Sequence, residues 1–244
     1  MIVINAAMAH QLNAFKAQID ALVAEGTEQE EALYKILKET IIASKQIRFE
    51  GDGYSEEWKE EAIRRGLTNI CHVPEAIMKF NDPQSRAVLI GENIFNENEL
   101  NCRIEVELEK YTKKVQIESR ILGDLAINHI IPTAVIYQNR LLENLRGLRE
   151  TFSPEEYEML GSDRRELVRN IQLRVLKIKQ LVNDMTEARH ISNRLNSQVE
   201  KAYSYEERVS PYMEEIREHI DLLEMEVDDE IWPLPKYREL LFTK

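Results

Sequence analysis

Few stretches of this chain combine residue types and spacing that chemistry could use. Glu187-Ala188-Arg189-His190 is a Glu-x-x-His on a helical pattern, the spacing by which di-metal helical bundles aim a carboxylate and an imidazole at one site. Such sites need the motif twice, with two further inward carboxylates. His129 and His219 instead carry Ala126 and Ile216 at the required offset, so a solvated helix face is the better reading. The acidic run at residues 224–230 offers oxygen ligands to a divalent cation but lacks the glycine-turn spacing of a calcium loop. Gly51-Asp52-Gly53 is a two-glycine turn without the Gly-Lys-Ser/Thr of a phosphate cradle. His129, just before Pro132, has no recognisable serine or cysteine nucleophile beside it and reads as structural. The sequence therefore points to no catalytic, cofactor-binding or metal-ligating residue.

The elements that would position these residues are helical. Residues 96–152 form one long amphipathic pattern, with Ile104, Leu108, Tyr111, Val115, Leu122 and Leu125 mostly three or four apart. Asn96 and Glu99 form a capping box at its start. Pro132 cannot donate to the Asn128 carbonyl, which predicts a kink or short break. Upstream, Met8, Leu12, Phe15, Ile19 and Leu22 predict a buried seam ended by Gly26, and Thr27 with Glu30 predicts a second capping box before Leu33, Leu37 and Ile41.

Residues 46–103 are the least regular. Ser55 caps a short helix ending at Gly66, Pro74 starts another, Asn81-Asp82-Pro83 is a turn, and residues 92–98 are a polar connector. Ser153-Pro154-Glu155-Glu156 opens a short helix, and Asp163 with Glu166 opens the next, whose Val168, Ile171, Val175, Ile178, Val182 and Met185 alternate three and four. Leu195, Val199 and Ala202 extend that seam. Ser210-Pro211 starts a further helix bearing Met213, Ile216, Ile220, Leu223 and Val227. A proline-containing tail through Trp232, Pro233 and Pro235 is expected to run extended, dock on something and end in a short helix.

The architecture expected is all-α: an elongated antiparallel bundle with long helices, one of them kinked at Pro132. Residues 1–244 are read as a single helical domain, with a hairpin at 1–45, an irregular region at 46–103 and a long-helix bundle with tail at 104–244. The composition agrees, with 244 residues, 43% apolar content and only 8 Gly and 7 Pro. A net charge of −12 opposes a phosphate backbone and argues against nucleic acid as a partner. No apolar run approaches the roughly 20 residues that span a bilayer. Cys71 and Cys102 lack CxxC spacing and no signal-peptide pattern opens the chain, so a cytoplasmic protein is expected.

Several blocks resemble the C-terminal region of type III glutamine synthetase, a long-chain class found mainly in bacteria. They are Ile47-Arg48-Phe49-Glu50-Gly51-Asp52-Gly53-Tyr54-Ser55 with Trp58, Arg64-Arg65-Gly66-Leu67, Glu107-Leu108-Glu109-Lys110-Tyr111, Gln116-Ile117-Glu118-Ser119-Arg120 and Asn128-His129-Ile130-Ile131-Pro132-Thr133-Ala134. The closing run from Val227 through Asp228, Asp229, Trp232, Pro233, Pro235 and Tyr237 to Phe242 is the most specific. The resemblance spans essentially the whole chain. It implies a family reaction joining ammonia to glutamate through a γ-glutamyl phosphate, with ATP and Mg²⁺ or Mn²⁺.

It also implies that the catalytic motifs lie outside this chain. Val3-Ile4-Asn5-Ala6-Ala7-Met8-Ala9 is similar to the helix that follows the last catalytic strand in the family. The expected role is packing against the catalytic domain of the same enzyme and contributing to a homo-oligomer, a dodecamer in the family. Two other readings stay open: a stand-alone module that binds a full-length synthetase, and an unrelated helical metal oxidase, which predicts bound iron or manganese.

Overall fold

The structure is a computed structural model that describes residues 2–236, 239 and 240. It is 82% helical, and no strand occurs among the described residues. Tyr237 and most of the expected terminal helix lie outside the described residues. The chain divides into two compact units, Met1–Glu107 and Leu108–Lys244.

In the first unit, α1 (Ile2–Ala24) pairs with α2 (Gln29–Ala43). The turn is a Schellman motif: Gly26 has φ +98°, its N–H bonds to the Val23 carbonyl at 3.0 Å, and the Thr27 N–H bonds to the Leu22 carbonyl at 3.0 Å. That use of Thr27 corrects the expected capping box. The N-cap of α2 is Glu28, one residue later than expected, with no side-chain bond.

The buried faces also differ from expectation. Met8 and Leu12 are 60% and 58% exposed, and Leu33, Leu37 and Ile41 are exposed, while Ala6, Ala32 and Ile36 are buried. Small alanines bring the backbones together at the closest approach, and the larger neighbours are turned outward.

Next come α3 (Glu56–Arg64), α4 (Val73–Met78) and α5 (Pro83–Gly91). Ser55 Oγ accepts from the Trp58 N–H at 3.2 Å, and Gly66, at φ +77°, closes α3 with a second Schellman pair. Pro74 sits in the first turn of α4. Helix α5 was not foreseen; Asn81-Asp82-Pro83 is its entry rather than an isolated turn, and Asn93, at φ 56°, ends it in the left-handed region that asparagine tolerates. In α6 (Glu97–Leu125) the Asn96/Glu99 box is present, with both bonds at 2.9 Å.

The second unit takes over partway along α6. A π-turn at Ala126–Ile130 joins α6 to α7 (Ile131–Thr151), making 55 continuous helical residues. The Ile131 N–H bonds to the Ala126 carbonyl, five residues back. Pro132 is thus accommodated by a local widening just before it rather than by a break.

Ser153 and Glu156 form the expected capping box. The helix they open, α8 (Pro154–Asn193), is 40 residues long rather than short, and Asp163 does not start another. Gly161 is buried where a Cβ would lie 3.2 Å from Leu145, so packing holds the helix through a Gly-Ser-Asp sequence that would otherwise end it. Ser162 Oγ satisfies itself on the Met159 carbonyl at 3.2 Å.

Helices α9 (Gln198–Arg208) and α10 (Ser210–Glu226) return across α8. The core joins Ile171, Val175, Ile178, Val182 and Met185 to Ile216, Ile220, Leu223 and Val227, with Ala126 and Ile130 of the π-turn and Ala134 of α7 closing it. The expected α8 seam is therefore interior.

Candidate functional site

In the first unit, the glycine loop after α2 folds over α3. Phe49 stacks on Trp58 with ring centroids 3.9 Å apart and planes at 21°, and Arg65 lies over the Trp58 ring at 5.4 Å. The Arg65 guanidinium donates to the Arg48 carbonyl at 3.0 Å and the Gln46 carbonyl at 3.3 Å, pinning the loop to the helix. Glu61 accepts from Arg65 and Arg64, and these two guanidiniums hold its carboxyl below its usual range. Gly51 is needed here, since a Cβ would meet the Phe49 ring at 2.7 Å. Gly53 is exposed in the turn, where the Asp52 carboxylate accepts from the Tyr54 N–H at 2.9 Å.

In the second unit, Gln116 of α6 reaches the end of α8. Gln116 Nε2 donates to Asn193 Oδ1 at 3.3 Å, and the buried Tyr205 donates its hydroxyl to the same oxygen at 2.9 Å. Glu118 is exposed, 3.9 Å from Lys114, and Arg120 is exposed. Ser119 is buried and donates back to the Gln116 carbonyl. The Tyr111 hydroxyl donates to Glu206, and burial first, then this carboxylate, raises the Tyr111 pKa well above the ordinary phenol value. At the π-turn His129 is exposed and its carbonyl accepts from Thr133 Oγ1 at 2.9 Å; Pro132 is exposed in the first turn of α7.

The tail turns back after α10. Asp228 accepts from the Glu230 N–H at 3.0 Å and pairs with Arg140 at 3.4 Å, and Asp229 accepts from Lys236. Lys236 Nζ also donates to the Glu224 carbonyl at 3.0 Å and lies over the Trp232 ring at 5.9 Å. Trp232 is buried in the core, while Pro233 and Pro235 are exposed and rigidify the chain around it. The tail thus docks on its own bundle. Asn193 and Tyr205 were not singled out from the sequence, because each acts through a partner twelve or more positions away in the chain.

Glu187 and His190 are both exposed. Among the described residues no three His, Cys, Asp or Glu side chains come together to hold a metal ion. The Asp52 loop uses its own carboxylate to bond its amide.

In the first unit these polar groups hold the glycine loop on α3, and in the second they hold the described part of the tail on its helices; both units are all-helical among the described residues. Residues 32–149 match the family model described as the glutamine synthetase C-terminal domain. The chain is 70% identical over 244 residues to a glutamine synthetase of Bacteroides fragilis (strain YCH46), covering all of this chain and 34% of that protein. It is 30% identical over 249 residues to the type-3 glutamine synthetase of Dictyostelium discoideum, covering all of this chain and 33% of that protein. A glutamine synthetase of Butyrivibrio fibrisolvens is 27% identical over 218 residues, with 89% and 31% covered. The chain spans about a third of the length of these curated relatives. No helix among the described residues is long and apolar enough to cross a membrane.

Proposed function

We propose that this chain is the C-terminal structural and oligomerisation region of a type III glutamine synthetase, packing against the catalytic domain of the same enzyme. The carrying observation is similarity along its full length to proteins named glutamine synthetase, one of them named type-3, that are about three times as long. ATP, Mg²⁺ or Mn²⁺ and the ligase chemistry belong to the remainder of the enzyme, in the cytoplasm. Gly53, Trp58, Gln116, Glu118, Arg120, His129, Pro132, Asp228, Asp229, Trp232, Pro233 and Pro235 belong to this region's structural role, the exposed ones among them on the surface it offers to the rest of the enzyme.

The exposed Ile2, Ile4, Met8, Leu12, Leu37 and Ile41 of α1 and α2 support this reading, since an apolar surface of this kind is suited to a partner domain. The test is the native polypeptide mass in a lysate of the source cell, with an antibody against residues 227–242. A band near three times 28.6 kDa, in a particle many times heavier still, is the expected result. A band at 28.6 kDa would overturn it and favour a free module acting on a separate synthetase.

A further inference from the structure

In the first unit a short 3-10 turn at Ser44–Ile47 leads from α2 into the glycine loop, which Arg65 ties to the end of α3. Here lies an open cavity of about 570 Å³, whose charged lining residues are Lys45, Arg48, Glu50, Glu61, Arg64 and Arg65. Four cations meet two carboxylates, a local surplus of positive charge in a chain whose net charge is −12. A concave wall of one prevailing sign concentrates its potential on an incoming anion.

The wall is set before any ligand arrives. Arg65 Nη1 is held by the Gln46 and Arg48 carbonyls at 3.3 and 3.0 Å, and its Nε by Glu61 at 2.5 Å. Glu61 also accepts from Arg64 Nε at 2.7 Å, so two guanidiniums share one carboxylate. Arg48 donates through Nη2 to the Ile41 carbonyl at 3.0 Å, and among the described residues its Nε and Nη1 hydrogens have no acceptor. Among the same residues the Lys45 ammonium and the Glu50 carboxylate make no hydrogen bond or ion pair.

An ammonium and a guanidinium with open donors suit the several oxygens of a phosphate group. The volume lies within the range of small-molecule sites, about 300–1,000 Å³, and far exceeds a lone phosphate ion. Glu50, an acceptor without a donor of its own, suits a hydroxyl on the body of such a ligand. We propose that this cavity binds a phosphorylated, hydroxyl-bearing metabolite, with the phosphate held by Lys45 and Arg48 and a hydroxyl by Glu50. The site is independent of the assembly role proposed above.

The test titrates the whole 244-residue chain, in a Trp232→Phe background, with ribose 5-phosphate, inorganic phosphate and ribose at constant ionic strength. Binding is read by calorimetry and by Trp58 emission, since Arg65 lies 5.4 Å from the Trp58 ring centroid and a filled cavity should perturb that fluorophore. Saturable one-site binding of ribose 5-phosphate is expected, with inorganic phosphate weaker and ribose without response. Lys45→Gln and Arg48→Gln should each weaken it by about tenfold, and the double variant should abolish it. Glu50→Ala should narrow the preference for ribose 5-phosphate over inorganic phosphate. Lys35→Gln, on α2 and outside the cavity, should leave binding unchanged. Lys45→Gln removes no bond of the free chain, so it should keep the parent unfolding midpoint, and its loss of binding reads the site rather than the fold. No saturable response to ribose 5-phosphate, equal binding of ribose, or a response retained in the double variant overturns the proposal.

Discussion

Tyr111 of α6 donates its hydroxyl to Glu206 of α9, joining positions 95 residues apart. The folded-state pKa of Tyr111 is raised above the ordinary 10.0, so its stabilising contribution is complete below that pH and is lost as pH climbs through the folded value. Tyr111→Phe should cost about 1.5–3 kcal/mol near neutrality, as expected for a hydrogen bond to a charged group. Urea unfolding of parent and variant should also show that the variant loses part of the decline in stability above pH 10.0.

Trp232 anchors the tail among core residues of α8 and α10. Trp232→Ala should lower stability by about 3–5 kcal/mol, because a cavity is added to the lost burial. The same variant should expose Lys236 to trypsin, since the ring beneath its ammonium and the turn that seats it on Glu224 are lost together. Unfolding midpoints and peptide mapping test both points; an unchanged midpoint would contradict the docking.

Ile178 is fully buried, whereas Leu37 is 41% exposed although its spacing is equally helical. Ile178→Ala should cost about 2–5 kcal/mol. Leu37→Ala in the isolated chain should stay within about 0.5 kcal/mol. Comparing the two unfolding midpoints separates interior from outward-facing seams.

Glu61 gives the first unit an acid-sensitive contact. Its hydrogen bonds to Arg65 and Arg64 depress its carboxyl, so the contribution is present above the ordinary value of 4.5 and disappears as pH falls through the folded value. Trp58 fluorescence, followed during acidification in a Trp232→Phe background, should report loosening of the Phe49 stack below pH 4.5. In Glu61→Gln this transition should vanish.

The residue pattern carried much of the helical content. Ser55, Asn96 and Ser153 cap where their side chains reach the third amide onward, and Gly26 and Gly66 close helices in the left-handed region; these are local effects complete within a few residues. Local rules misread two places. Gly161-Ser162-Asp163 looks like a stop and a restart, yet contact with Leu145 carries α8 straight through. Thr27 looks like a cap, yet its N–H closes α1 and α2 begins one residue later, behind Glu28.

The site was less legible than the fold. The block at Gln116 stood out only by resemblance, and nothing nearby in the chain pointed to its partners Asn193 and Tyr205. Helix type, helix ends and the α8 seam follow from spacing and capping chemistry, because those forces act between neighbours in the chain. Which face of α1 and α2 turns inward and where the tail docks depend on which helices pack together and in what register. Those relations exist only between distant segments, so the tertiary structure alone decides them.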